Sequence, residues 1–536
     1  MKKIYLETFG CQMNVLDSQL VEGKLRSLGY DFVPDADAAE VVLYNTCSVR
    51  QQSENKVLSR LGLLKIRKAT QPDLVVGVIG CMAERDGKTL LRRMPHLDLL
   101  CGPGELDKLP TLLETVFKTH KQQSALAGNN SRRSGTLDSA DDGLELLDLS
   151  RSFSPEQSKF QAYVRVVRGC NKFCTYCVVP YTRGPEVSRS PAAIVDEVRR
   201  LTAAGALEVT LLGQTVNHYV YQHGAVAGAG GVLPKRTTFA ELLHQIHESV
   251  PELPRLRFIT SFPADFGDDI LHVMAQSPRI NRYLHIPAQS GSNRILKMMN
   301  RGYTCESYLE LLDRARNIVP GIVLAGDFIV GFPTETEEDY QATRELASKA
   351  KYKNCFIFKY SPRPGTTAIR RYPDDVPEEI KRRRNNDLLQ LQNDISEELN
   401  RELLGSTLDV LCEGPSGWNQ SAESVIAGMD SSACVGDGSA RVELGNRLAG
   451  AMGRKEKFTS DAESFNSFDH ADEPVVQLTG RTTADQIVVF DGPESLEGKI
   501  VRVCIHAAHA MTIFGRRSIQ TISGPEKKCT EPAEIS

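Results

Sequence analysis

Short apolar runs alternate with polar stretches along this chain, and the period of the alternation marks its blocks. In residues 1 to about 117 three β-branched or aromatic runs, KIYLETFGC, AEVVLYNTC and DLVVGVIGC, read as strands that end in Cys11, Cys47 and Cys81. Each run leads into a stretch of helical character, such as DSQLVEGKLRSLG after the first. Strand, cysteine and helix in repetition predict a doubly wound parallel sheet. Such sheets gather functional groups at the carboxyl ends of their strands, so these cysteines meet in space. A fourth run, HLDLLCGPGEL, ends in Cys101 but leads into a Gly/Pro turn instead of a helix.

The pattern then breaks. Residues 118–158 are polar, Gly/Ser-rich and without period, and read as a mobile linker. Within 159–378 six strand signals (QAYVRVV, EVTLLGQ, LRFITSF, YLHIPAQ, LAGDFIVGF and NCFIFKY) alternate with helical stretches. Six consecutive βα units predict an open, partial form of the eight-fold parallel barrel, with a loop insertion at Ala225 to Arg236. A long charged helix spans 379–404. Its KRRRNN run, Lys381 to Asn386, reads as a solvated face. Residues 405–520 carry short strands with little helix and predict a small antiparallel β-barrel, interrupted by a Ser/Gly/Asp-rich insertion at 413–474; residues 521–536 form a tail. The predicted class is therefore α/β: a parallel sheet domain, a partial (β/α)6 barrel and a small β-barrel.

Composition narrows the chemistry. With 536 residues, 25% charged and 41% hydrophobic, the chain is an ordinary soluble multidomain protein. No apolar run approaches the ~18 residues of a membrane helix, and Glu7 arrives too early for a signal-peptide core, so a cytoplasmic location is expected. The 13 cysteines are too sparse for a disulfide scaffold, and in a reducing compartment clustered cysteines point to metal or catalysis. A net charge of −4 gives no overall bias toward nucleic acid, although residues 161–200 carry seven Lys/Arg against three Asp/Glu and are positioned to attract phosphates at the barrel mouth.

The sharpest signal is RGCNKFCTYCVVPYTRG, which places Cys170, Cys174 and Cys177 at C-x3-C-x2-C on the loop after the first barrel strand. Structural zinc closes with four ligands, and no fourth Cys or His stands nearby. Three thiolates suit a 4Fe–4S cluster with one iron left open to bind and activate a small molecule, at the face where such barrels place their chemistry.

That triplet, together with TFGCQMNVLDS, NTCSVRQQSENKV, GCMAER, LLGQTVN, QSGSNRILKMMNRGYT, DFIVGFPTETEEDY and YSPRPGTTA, resembles the radical S-adenosylmethionine (SAM) methylthiotransferases, and among them the tRNA-modifying branch. The likeness covers the sheet domain, the barrel and the β domain, which is similar to a TRAM domain. It implies that SAM chelates the open iron held by Cys170, Cys174 and Cys177 and is cleaved to a 5′-deoxyadenosyl radical. It further implies that Cys11, Cys47 and Cys81 hold a second, auxiliary 4Fe–4S cluster that carries or supplies sulfur. The substrate it implies is N6-isopentenyladenosine, just 3′ of the anticodon, methylthiolated at C2. By the same analogy Gln214, Ser261 and Gln289, at the ends of the second, third and fourth strands, contact SAM, and Tyr176 packs near the adenine or shields the cluster. Cys101 is expected to be a spare thiol; His218 and His285 are read as structural. The expected partners are tRNA, SAM, a reductant of flavodoxin or ferredoxin type and a sulfur or cluster donor, with no membrane and a monomeric chain. Two alternatives stand beside this: a sister methylthiotransferase acting on threonylcarbamoyladenosine or on a ribosomal-protein aspartate, which GCQMN around Cys11 disfavours, and a zinc protein that binds nucleic acid.

Overall fold

The computed structural model describes residues 2–48, 51–127, 143–148, 151, 153, 158–223, 235–417 and 473–518. The N-terminal block is a parallel sheet of β1 (Lys3–Phe9), β2 (Asp31–Phe32), β3 (Val41–Thr46), β4 (Val75–Gly80), β5 (Leu99–Cys101) and β6 (Gln123–Ala125) in the order β2-β1-β3-β4-β5-β6. Its central strands are buried on both faces, as their unbroken apolar runs require. Helices Gln12–Ser27 and Leu109–Thr119 cover one face through Leu16, Leu20, Leu109 and Leu113. Helices Gln51–Thr70 and Cys81–Arg93 cover the other through Val57, Leu61, Met82 and Leu90. The helix after β1 and the helix after β3 therefore lie on opposite faces, and the topological switch point falls between those two strands. Ligands of open α/β sheets bind there.

Six parallel barrel strands follow: β7 (Gln161–Arg165), β10 (Glu208–Leu212), β13 (Arg255–Phe258), β14 (Tyr283–His285), β15 (Val323–Val330) and β16 (Asn354–Lys359), with two short ribbons, β8 (Val167–Arg168) with β9 (Val187–Ser188) and β11 (Val220–Gln222) with β12 (Arg236–Thr238). The first three and last three form separate ladders, joined between β13 and β14 by Leu256 with Ile280 and by the amide of Ser261 donating to the carbonyl of His285 at 3.1 Å. One residue parity of each strand packs outward under the helices, as with Val164, Leu211, Phe258, Leu324 and Phe328; the other faces the barrel interior.

The last block closes as β17-β18-β19-β21-β20, formed by β17 (Thr407–Pro415), β18 (Val475–Arg481), β19 (Ile487–Pro493), β20 (Ile500–Ala508) and β21 (Ile513–Arg517). It is antiparallel at every seam except β19 with β21, which run parallel. This barrel docks at the amino ends of the six parallel strands, opposite the loop that carries Cys170, Cys174 and Cys177. Gln161 donates to Glu413 at 2.7 Å, Arg255 to the carbonyls of Arg481 and Asp409, and Arg257 pairs with Asp485 at 2.7 Å.

Three expectations from the sequence are corrected. The linker is not structureless throughout: β6 extends the sheet, and a helical turn at 143–148 brings Asp148 into the core at 2% exposure. The KRRRNN run is not a solvated face. Lys381 and Arg384 are buried against the barrel, pairing with Asp374 at 2.6 Å and Glu335 at 2.8 Å, while Arg382 and Arg383 face out. The basic stretch of 161–200 turns inward: Arg165, Arg168, Arg183 and Arg189 are spent on buried carboxylates. The 413–474 insertion, from residue 418 to 472, and the tail lie outside the described residues.

Asp485 anchors the β-barrel dock. Burial opposes its charge, but Arg257, Arg481 and Lys353 outweigh burial and depress its carboxyl from 3.8 to about 2. A depressed acid contributes stability that is complete above its unfolded value and lost as pH falls through the folded one. Asp485→Asn is expected to cost about 2 kcal/mol near neutral pH, with the gap in urea midpoint between variant and wild type constant above pH ~5 and narrowing below pH ~4. A gap that did not change with pH would show that the ion pairs are not what holds the dock.

Candidate active site between two cysteine trios

Chain reversal at the strand ends brings the first trio together. Cys11 is the N-cap of helix Gln12–Ser27, Cys47 follows β3 and Cys81 opens helix Cys81–Arg93. Asn14 and Asn45, both fully buried, tie these ends together. Asn14 Nδ2 donates to Asn45 Oδ1 at 2.9 Å and to the Thr46 carbonyl at 3.2 Å, Asn45 Nδ2 donates to the Asn14 carbonyl at 2.8 Å, and the Cys11 thiol donates to Asn14 Oδ1 at 3.2 Å. Gly10 and Gly80 precede two of the cysteines because no Cβ fits there. One on Gly10 would stand 2.7 Å from Asn14 Oδ1 and 2.8 Å from the Cys47 Cβ. Gly80, at φ +90°, would drive one into Asn45 Oδ1.

A side chain from the barrel completes this site. Arg183, six residues past Cys177, donates to Asp17 Oδ2 at 2.8 Å and sets its charge beside Cys81. The hydrogen bond to Cys47 lowers the Cys11 thiol to about 6 against burial, and Arg183 adds to that; burial raises the Cys81 thiol, with Arg183 opposing. Arg183 itself is held more firmly protonated than usual: burial disfavours its charge, but Asp17, Cys81 and Cys11 more than restore it. Asp17 also receives Arg165 at 3.2 Å, and Arg165 reaches Asp148 at 2.7 Å. Cys101 stands apart. It is fully buried among Leu99, Leu106 and Leu109 and donates to the Glu105 carbonyl at 3.1 Å.

The second trio lies on the loop after β7. Gly169, at φ +68°, has the Gly184 and Pro185 carbonyls where a Cβ would sit, so the loop doubles back against itself, and the Cys170 amide donates to the Gly184 carbonyl at 3.1 Å. Thr175 fixes the middle of the loop: its amide donates to Met299, its hydroxyl to Met298, and its carbonyl accepts from Ala368. Arg301 is buried, lies over the Phe262 ring and donates to Cys174 Sγ at 3.4 Å. Burial pushes the Cys170 thiol up to about 11 and the Cys177 thiol higher still.

Gln214, Ser261 and Gln289 stand on the same rim, after β10, β13 and β14. The buried Ser261 Oγ has no hydrogen-bond partner among the described residues, and Gln289 is held at φ +73° by its amide to Asp327 and its carbonyl from Ile329. Tyr176 points into an apolar cluster with Ile295, Phe332 and Ile329. His218 pairs with Asp265 at 2.8 Å, which also takes Lys172; His285 faces the barrel interior and bonds Asp327 at 3.2 Å. The sequence reading missed Asn14, Asn45, Arg183 and Arg301. Asn45 was the detectable one, as a lone amide in an otherwise apolar strand.

Among the described residues no three His, Cys, Asp or Glu side chains close in tightly enough for a single metal ion. A four-iron cluster is larger and spreads its ligands wider. Buried and half-buried thiols with a guanidinium beside each trio form a soft, anion-tolerant donor set, and the Ser261 hydroxyl offers a polar contact to a bound cofactor.

A parallel sheet with a cysteine trio at its strand ends, set over a six-stranded partial barrel with C-x3-C-x2-C on its first loop, defines a radical SAM enzyme with a second cysteine centre. Residues 164–347 match the radical SAM superfamily, and residues 3–102 match the uncharacterized protein family UPF0004. The chain belongs to the family of tRNA-2-methylthio-N(6)-dimethylallyladenosine synthases. It is 40% identical over 523 residues to that of Rhodopirellula baltica, covering 97% of both chains. It is 39% identical over 506 residues to that of Carboxydothermus hydrogenoformans, covering 94% of this chain and 96% of that one. Among solved structures, a radical S-adenosylmethionine methyltransferase from Kitasatospora setae superposes with a TM-score of 0.47 at 14% identity, covering 76% of this chain and 80% of that one.

The crowding at the first trio is testable without any cofactor. Gly80→Ala adds an overlap with Asn45 to the cost of a left-handed backbone, whereas Gly29→Ala, at φ +87° in open space, pays the backbone cost alone. Gly29→Ala is expected to cost about 1 kcal/mol and Gly80→Ala about 2 kcal/mol more, read from denaturant midpoints. Equal losses would show that the strand end tolerates a side chain.

Proposed function

We propose that this chain converts N6-dimethylallyladenosine in tRNA to its 2-methylthio derivative by radical SAM chemistry. The observation that carries the reading is the pairing of two separate cysteine trios on facing strand ends, one of them the radical SAM triplet, in a chain that matches synthases of that name over nearly its full length. Cys170, Cys174 and Cys177 hold the 4Fe–4S cluster that takes SAM; Cys11, Cys47 and Cys81 hold the auxiliary one. When bound, these groups supply the radical that removes a hydrogen from an unactivated C–H bond, and the sulfur and methyl group that replace it.

The chain's own part is placement and exclusion of water. Arg301 and Arg183 set positive charge against each trio's sulfurs, and Ser261, Gln214 and Gln289 orient SAM from the rim. Tyr176 shields the cluster held by Cys170, Cys174 and Cys177, since its ring is committed to the apolar cluster beneath the loop. A base stacked in an anticodon loop must be splayed out to enter such a site. The family's reading also brings a reductant, a sulfur donor, a monomeric chain and a cytoplasmic setting. No helix among the described residues is long and apolar enough to cross a membrane.

Deleting the gene is expected to abolish the methylthio group of tRNA while leaving the dimethylallyl group in place, measured by nucleoside mass spectrometry. Unchanged tRNA alongside a lost ribosomal-protein modification would favour the sister reading. Replacing Cys170, Cys174 and Cys177 with Ala should abolish SAM cleavage and halve the iron. Replacing Cys11, Cys47 and Cys81 should also halve the iron yet permit reductive SAM cleavage, and Cys101→Ala should keep all of it. Iron loss in Cys101→Ala would make that thiol a ligand.

A further inference from the structure

The six parallel barrel strands expose two large apolar side chains among the described residues, and both are on the last of them, β16: Phe356 at 49% and Phe358 at 37%. Their direction follows from register. Phe356 stands beside Asp327 and Phe358 beside Ile329 on β15, the parity that faces the interior, while Phe328 and Val330 of β15 pack outward under the helices. The two rings stack with their planes 15° apart and centroids 6.4 Å apart. They form a flat aromatic strip on the inner wall of an open barrel.

The rest of that interior is lined differently. The floor is closed by Arg257, Glu208 and Tyr283 with Asp485 of the β-barrel domain, and the β7–β10 side is filled by Tyr163, Leu212 and Ile259 packed against helix Gln12–Ser27. The aromatic strip borders the His285–Asp327 pair on one side and, through Ile329, the apolar cluster that seats Tyr176 of the cysteine loop on the other. A surface that is aromatic along β16, hydrogen-bonding along β14 and β15, and continuous with the loop that holds the radical chemistry suits a base carrying an apolar branch.

Resting on the function proposed above, we infer that Phe356 and Phe358 are specificity-determining residues. They receive the dimethylallyl-bearing face of the target adenosine, with His285 and Asp327 at its polar edge. The same wall rejects a threonylcarbamoyl group, whose carboxylate would meet two phenyl rings and the carboxylate of Asp327. Base–aromatic contacts of this kind change affinity by about tenfold per base.

The test uses the cluster-loaded full chain and three anticodon stem-loop RNAs that differ only in the nucleoside 3′ of the anticodon: dimethylallyladenosine, threonylcarbamoyladenosine or adenosine. Wild type is expected to prefer the first. Phe356→Ser should weaken binding of the dimethylallyl RNA about tenfold and leave the adenosine RNA within twofold, collapsing the preference, and Phe356→Leu should restore most of it. An unchanged preference in Phe356→Ser would overturn the inference. So would a fall of several degrees in melting temperature with equal loss for all three RNAs, since the ring would then be structural support. Failure of the wild type to methylthiolate the dimethylallyl RNA would overturn the function itself, independently of the phenylalanines.

Discussion

One buried charge network holds the catalytic arrangement together. Asp17, with no exposed surface, sits on the first helix of the sheet domain and binds Arg165 and Arg183 from the barrel. Arg165, Arg168 and Arg189 then converge on Asp148, and Arg189 reaches Glu145 and Glu197. Such a network is weak evidence for stability in itself, because desolvation consumes much of the attraction. Removing one partner is a different matter: it strands a buried charge at a cost of about 3–5 kcal/mol. The network therefore acts as a register pin that admits one docking of sheet on barrel. Glu54, receiving Arg85 at 2.7 Å and Arg363 of the loop after β16 at 2.8 Å, pins the far side of the same interface.

Function follows from that registration. Arg183 is both the partner of Asp17 and the cation at Cys11 and Cys81, so the residues that lock the domains also set the charge at the first trio. Because Arg183 belongs to the loop segment that carries Cys170, Cys174 and Cys177, the two trios cannot be placed independently. A reaction that must bring a hydrogen-abstracting centre and a sulfur source to one carbon needs such coupling of position.

Much of this was legible in the sequence. The apolar runs ending in Cys11, Cys47 and Cys81 specified parallel strands with cysteines at their carboxyl ends, and the switch point between β1 and β3 brought those ends together. The six barrel strands were equally plain from their β-branched composition. What escaped was everything decided by partners distant in sequence. A run of arginines in 161–200 looks identical whether it meets RNA phosphates or Asp17 and Asp148, and only the tertiary fold chooses. The same holds for Lys381 and Arg384, which helical period alone left on a polar face. Asp148 lay in a stretch whose composition signalled a linker, because one buried carboxylate does not alter local periodicity.

The central claim is that the two trios hold separate clusters and that only one of them meets SAM. Mössbauer spectroscopy of the anaerobically purified, iron-57-enriched chain tests this most directly. The account predicts two 4Fe–4S clusters per chain and, on adding SAM, a change confined to one iron of one cluster. A single cluster per chain, or two clusters that respond alike to SAM, would contradict it.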